Sequence, residues 1–242
     1  MKYFIFLDVD GVLHPLNEKH LPSLVKKEHL FQRVEEEEEA GDTLEITRVL
    51  EGEFVPEIME RLARTIKTCA TNNSVHIILS STWRETLPGR KAVDSQLKEF
   101  DIPSVEGNTP QLSFMHCKCK RAHEIVHWLY LNLVTDGVIC DFRFVVLDDA
   151  DLVGEETMPI GTDYAADFIR PYFVRCDKST GLTESDCQRI VEIFGNNQVP
   201  GTILPEKIMV LINEELEEKR RLLESDDEDL DEEGKKDKED KK

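Results

Sequence analysis

The chain has 242 residues, 40% of them hydrophobic, with 50 Asp and Glu against 30 Lys and Arg and a formal net charge of −20. That length suits one domain with an insertion and a tail, and the apolar share suffices for a sizeable core. The charge excludes a protein that grips nucleic acid chiefly through non-specific phosphate contacts, though a small basic mouth on an acidic body is compatible with it, and no stretch approaches the ~20 apolar residues of a membrane span.

Tyr3-Phe4-Ile5-Phe6-Leu7 is an apolar run too short for an ordinary buried helix, and reads as a strand covered on both faces. Asp8 and Asp10 stand where it ends, which in a parallel α/β sheet is the ligand-binding crevice. Gly11 follows, permitting a sharp turn with the amides of Val9, Asp10 and Gly11 available to an anion.

From His14 to about Glu53 there is no sustained periodicity, and Glu35 to Glu39 are five consecutive carboxylates, so a solvated loop or helix end is expected. Pro56 to Ile66 reads as a helix, with Pro in its first turn and Ile58, Leu62 and Ile66 at four-residue steps. Asn72-Asn73-Ser74 breaks the chain before a second strand, Val75 to Leu79, which ends in Ser80-Ser81-Thr82-Trp83-Arg84.

Between Leu87 and Met115 the sequence predicts a short helix over Leu97 to Pro103 and then an irregular loop containing Gly107, Asn108, Thr109 and Pro110. Cys117 to Leu129 reads as an amphipathic helix with a basic first turn of Lys118, Lys120 and Arg121. Cations sit against the macrodipole there, a small misfit that hints at function. A third strand, Asp141 to Leu147, ends in Asp148-Asp149-Ala150-Asp151. Clustered carboxylates at a strand end call for a cation, and hard oxygens select Mg²⁺.

Pro171 to Cys176 reads as a further strand, Thr183 with Asp186 as a capping arrangement, and Cys187 to Phe194 as a helix. A last helix is expected over 206–223, followed by a charged tail over 224–242 with almost no apolar residues, expected to be disordered. Such a tail solubilises, or contacts a basic partner.

The run Asp8-Val9-Asp10-Gly11-Val12-Leu13 resembles the first motif of the haloacid dehalogenase-like (HAD) superfamily of phosphohydrolases. The strand ending in Ser80 resembles the second, the basic helix start the third, and Asp148-Asp149 the fourth. The string Ser-Ser-x-Trp-Arg, with Gly181-Leu182-Thr183 farther on, is similar to the HAD domains of Swiss Army Knife RNA repair proteins and, distantly, to the phosphatase half of polynucleotide kinase-phosphatases.

The resemblance implies an α/β fold, a HAD-type Rossmann-like three-layer sandwich with a mostly parallel sheet, spanning 1–205, with 14–53 as a flap in place of a large cap. It implies a Mg²⁺-dependent phosphatase in which Asp8 is the nucleophile and Asp10 the general acid and base. The metal would be held by Asp8, the backbone carbonyl of Asp10, Asp148 and Asp149, with Asp151 as an outer partner or a plain loop residue. Ser80 is the first choice to hold the phosphoryl group and Ser81 the second. Arg84 would contact the phosphate or the leaving group. For the third-motif cation Lys120 comes first, then Arg121, then Lys118. An open site favours a nucleic-acid end, RNA or DNA, or another large phosphoester over a small metabolite.

Two other readings compete. His123-Glu124-Ile125-Val126-His127 matches the His-Glu-x-x-His zinc-peptidase signature, with Cys117 and Cys119 nearby, but no third ligand stands in a recognisable context downstream. A catalytically idle HAD scaffold is the other, and the intact Asp8, Asp10 and Asp148 speak against it. Met1-Lys2 directly before the strand lacks signal-peptide character, so an intracellular, cytoplasmic location is expected, with the nucleus as the other compartment, and the six cysteines are expected to be reduced.

Overall fold

Strand β1 (Lys2–Leu7) lies in the middle of a five-stranded parallel sheet, between β2 (Ser74–Leu79) and β6 (Phe142–Asp148), with β3 (Val105–Asn108) and β7 (Phe173–Arg175) at the edges. The computed structural model describes residues 1–16, 54–70, 74–112, 119–135, 138–139, 142–154 and 160–195, all within the compact unit Met1–Thr202. The expected flap from residue 17 onward, Cys117, Lys118, the helix over 206–223 and the tail over 224–242 lie outside the described residues.

Alternation along β1 feeds two apolar layers. Tyr3, Ile5 and Leu7 join a core with Ile58, Leu62 and Ile66 of α1 (Pro56–Cys69), Ala92 and Leu97 of α2 (Leu87–Glu99), and Ile190 and Phe194 of α5 (Glu184–Gly195). Phe4 and Phe6 face the other way, where the Trp128 ring of α3 (Lys120–Leu133) meets both edge-on, with centroids 5.3 and 5.4 Å apart. Phe144 extends this aromatic layer to Phe168 of α4 (Tyr164–Ile169) at 5.8 Å. A small antiparallel pair, β4 (Val134–Thr135) and β5 (Val138–Ile139), follows α3. The architecture is the three-layer α/β/α form expected from the sequence.

Three local expectations change. The segment after Leu87 forms a long helix instead of a short one near Leu97: Pro88 sits in its first turn, where a missing N–H costs nothing, and the Thr86 hydroxyl caps the Gly89 amide at 3.2 Å. Val105 to Asn108 is a strand, not an irregular loop. The Trp128 indole packs beside Gly107, whose neighbours leave room for a Cβ at ordinary contact distance, and a register shift between Ile77 and Ile78 absorbs the irregularity. Finally, Arg170–Tyr172 is a 3-10 turn, leaving only Phe173–Arg175 as strand. The expected cap is present: Thr183 and Asp186 exchange hydrogen bonds, Thr183 N to Asp186 Oδ2 at 2.8 Å and Asp186 N to Thr183 Oγ1 at 3.3 Å.

Candidate functional site

Register assembles the site. Leu7 pairs with both Leu79 and Leu147, so Asp8, Ser80 and Asp148 stand side by side at the carboxyl ends of three adjacent strands. The ladder continues through them, with Asp8 N donating to Leu147 O at 3.0 Å and Ser80 N to Leu7 O at 2.8 Å. Asp8, Asp148 and Asp149 each offer an oxygen within 4.8 Å of the others, the one such group of three among the described residues.

Arg121 Nη1 donates to Asp8 Oδ2 at 3.0 Å and to Asp148 Oδ2 at 2.5 Å. Burial, and next the charge of Asp148, push the Asp8 carboxyl well above the usual range, against the pull of Arg121, a Ser81 hydrogen bond and the Val9 amide. Asp148 is raised by burial too, although Arg121 and the Ala150 amide, 2.9 Å from its Oδ1, oppose this. Burial also raises Asp149, helped by Asp10. For Arg121, burial disfavours the charge, but Asp148 and Asp8 outweigh it and the guanidinium stays cationic.

These carboxylates are short of positive charge in direct contact: when all are ionised, one bonded guanidinium stands against three acids, with Lys178 acting on Asp149 only from the side. An all-oxygen donor set with that deficit fits a hard divalent cation such as Mg²⁺. Asp10 lies outside the group. Its Oδ2 accepts from Trp83 Nε1 at 2.9 Å, and its Oδ1 meets His14 Nδ1 at 3.2 Å.

The remaining expected residues divide. Ser80 Oγ is buried at the strand end with no hydrogen-bond partner among the described residues, whereas Ser81 is the hydroxyl that bonds Asp8 and also accepts from Trp83 N at 3.4 Å. Lys120, expected first as the cation beside the carboxylates, points to Glu124 Oε1 at 4.0 Å; its neighbour Arg121 occupies that position. Arg84 is buried, donating to Glu124 Oε2 at 2.7 Å and to Ser81 O at 2.9 Å, while its edge reaches the wall of a neighbouring cavity. The Gly11 amide donates to His14 O at 2.7 Å and so is committed within its own turn, contrary to its expected role as an anion donor. Gly11 itself has φ +76°, and a Cβ there would fall 2.5 Å from Asp149 Cγ.

The histidine motif on α3 is engaged elsewhere. His123, Glu124 and His127 are all buried rather than solvated. His123 Nε2 meets Asp163 Oδ2 at 2.9 Å and its Nδ1 meets the Tyr164 hydroxyl at 3.1 Å, while Glu124 holds Arg84. Burial opposes the ionisation of Asp163, but His123 and the amides of Ala166 and Ala165 outweigh it and hold that carboxyl below its usual range. These polar groups tie α3 to α4 and to the turn after β2. Among the described residues Cys69, Cys119, Cys176 and Cys187 are thiols outside any disulfide.

Sequence reasoning missed Trp83, His14 and Glu124 as parts of this network. His14 carried one usable signal, its four-residue spacing from Asp10. No helix among the described residues is long and apolar enough to cross a membrane.

Comparison with known proteins supplies one match: the family model for the HAD domain in Swiss Army Knife RNA repair proteins, over residues 4–187. No curated protein and no solved structure matches the chain significantly. That span runs from β1 into α5 and takes in every residue of the carboxylate site, and the chain therefore belongs to the HAD domain family of Swiss Army Knife RNA repair proteins.

Proposed function

We propose that the protein is a Mg²⁺-dependent phosphohydrolase working through an aspartyl-phosphate on Asp8. The observation that carries this is the fork of Arg121 between Asp8 and Asp148 at adjacent strand ends, because it places a fixed positive charge beside a buried oxygen nucleophile. Membership of the HAD family supports the reaction class.

Asp8 would attack phosphorus, forming an O–P bond as the bond to the leaving oxygen breaks. Asp10, two residues on and fixed by Trp83 and His14, would give its proton to that oxygen. Water would then form a bond to phosphorus and release Asp8, with Asp10 taking the water proton. Arg121 and the buried Ser80 hydroxyl would hold the phosphoryl oxygens. Asp8, Asp148 and Asp149, with the Asp10 backbone carbonyl, would hold the metal, which supplies charge stabilisation at a phosphoryl oxygen.

For the substrate we favour a nucleic-acid end or a comparable large phosphoester, since the site opens into two cavities, of about 300 and about 720 Å³. The histidine helix gives no support to peptidase chemistry, since His123 and Glu124 already have Asp163 and Arg84 as partners.

The test is hydrolysis of p-nitrophenyl phosphate with Mg²⁺, with EDTA and with Zn²⁺, comparing wild type and Asp8→Asn, followed by 3′- and 5′-phosphorylated oligonucleotides. Activity that needs Mg²⁺ and vanishes in Asp8→Asn supports the mechanism. Activity that survives the substitution removes Asp8 as nucleophile.

A further inference from the structure

The carboxylate cluster lies between two cavities that share Ala150. The smaller is bordered by Thr82, Lys120 and Arg121. The larger opens past Asp149 and is walled by Arg175, Cys176, Asp177, Lys178 and Ser179, none of which the proposed chemistry uses.

Both cations in that wall are held by backbone bonds, Arg175 to the active-site strand and Lys178 to the turn region after β1. Arg175 pairs in register with Asp148 across the β6–β7 ladder, and its Nε donates to the Asp149 carbonyl at 3.4 Å. Lys178 belongs to the turn that leaves β7, closed by Gly181 N to Asp177 O at 2.8 Å and pinned to the start of the chain by Leu16 N to Lys178 O at 2.6 Å. The Asp177 carboxylate is turned into its own loop, accepting from Ser179 N at 2.8 Å and from its hydroxyl at 2.6 Å.

A guanidinium and an ammonium thus flank the site in a chain whose net charge is −20. The same wall carries the carboxylates of Asp149 and Asp177, the latter held in its own loop by Ser179, so the two cations balance the acids there, and it is their placement beside the chemistry on so acidic a body that suits an anion. A terminal phosphate over Asp8 leaves this cavity unfilled. That cavity, of about 720 Å³, has room for the next phosphate of a polynucleotide and its nucleoside, and every polynucleotide end has one, whereas a phosphopeptide carries no obligatory second anion.

We propose that Arg175 and Lys178 form a second anion subsite that takes the phosphodiester adjoining the terminal phosphate of a nucleic-acid strand. This rests on the phosphohydrolase reading of Asp8 and extends it to the substrate class.

The experiment compares wild type, Lys178→Gln and Arg175→Gln/Lys178→Gln on p-nitrophenyl phosphate, a phosphorylated oligonucleotide and a singly phosphorylated peptide across a salt series. We expect kcat/KM of the double variant on the oligonucleotide to fall at least about tenfold more than on p-nitrophenyl phosphate, and the slope of log affinity against log salt to shrink by about 0.7, the loss of one single-strand phosphate contact. Lys178→Gln, an exposed loop change, should give about half that slope change. Equal losses on the aryl phosphate and the oligonucleotide, or an unchanged salt slope, overturn the subsite. A peptide that suffers as much as the oligonucleotide overturns it as a nucleic-acid site. Should wild type hydrolyse none of these, the phosphohydrolase reading fails by itself. Fluorescence anisotropy of a labelled oligonucleotide then decides the subsite, weaker binding in the double variant supporting it and equal binding refuting it.

Discussion

Trp83 reaches over from the turn after β2 to donate its indole N–H to Asp10 Oδ2 at 2.9 Å, while His14 Nδ1 lies 3.2 Å from the other oxygen. Gripped at both oxygens, the carboxyl has one orientation, as proton delivery to a leaving oxygen requires. Trp83→Phe keeps a buried ring and deletes the donor. Because a hydrogen bond to a charged group is worth roughly 1.5–3 kcal/mol, we expect a fall of about tenfold or more in kcat with little change in KM. The loss should be larger for alkyl or ribose phosphates than for p-nitrophenyl phosphate, whose leaving group barely needs a proton. An equal loss on both would show that the indole only fills space.

The Arg84–Glu124 pair should carry stability rather than phosphate affinity. Both side chains are buried, and Glu124 also accepts from the Leu112 amide at 3.2 Å. Removing one partner leaves the other charge buried and uncompensated, at a cost of about 3–5 kcal/mol, whereas Arg84→Met with Glu124→Leu should recover much of it. Denaturant melts of the two single variants and the double variant check this. If Arg84→Met melts like wild type but shows a large rise in KM, Arg84 is a phosphate ligand after all.

Metal binding should grow more stabilising with pH. Burial first, then Asp148, push Asp8 up to about 8, and Asp148 is raised as well. A raised folded-state value means that, from the usual carboxylate range upward, the folded protein holds protons the unfolded chain has already released. Metal-free stability therefore declines as pH rises through that window. A divalent ion must displace those protons, so the rise in Tm on adding excess Mg²⁺ should be larger at about pH 8 than at about pH 5.5, by several degrees. A Mg²⁺ shift that ignores pH would contradict proton–metal competition at these carboxylates.

Gly11→Ala tests how closely the first turn sits on the fourth motif. Its φ of +76° disfavours any side chain, and the added Cβ would lie 2.5 Å from Asp149 Cγ and 2.6 Å from Asp149 Cβ. We expect a loss of about 1–3 kcal/mol in stability. The displaced Asp149 should also weaken Mg²⁺ half-saturation of activity. Unaltered Mg²⁺ dependence in a folded variant would remove Asp149 from the metal site.

Much of the fold was legible because a short apolar run that ends in acids or hydroxyls must bury its body and open its end to a crevice, as a central parallel strand does. Tyr3 to Leu7 with Asp8, Val75 to Leu79 with Ser80, and the run into Asp148 all became central strands. What the sequence left open was rotation. Lys120 and Arg121 differ by one residue, roughly 100° around a helix, and the choice follows from packing: Arg121, Ile125 and Trp128 share one face, and Trp128 is fixed on Phe4 and Phe6. That stripe carries Arg121 to the strand ends and turns Lys120 toward Glu124. The partners of Asp10 and Glu124 were illegible for a different reason, since Trp83 is 73 residues from Asp10 and Arg84 is 40 from Glu124, and no local pattern records such pairings.

Arg121 also bears on how the protein comes into being. Two acids set side by side by strand register, with Asp149 next along the chain, would repel one another as they ionise, unless something positive arrives with them. A guanidinium from α3 travels with the fold and reaches two of them. The polypeptide thus brings its own counter-ion to Asp8 and Asp148, so that their arrangement at the strand ends needs no outside charge to form.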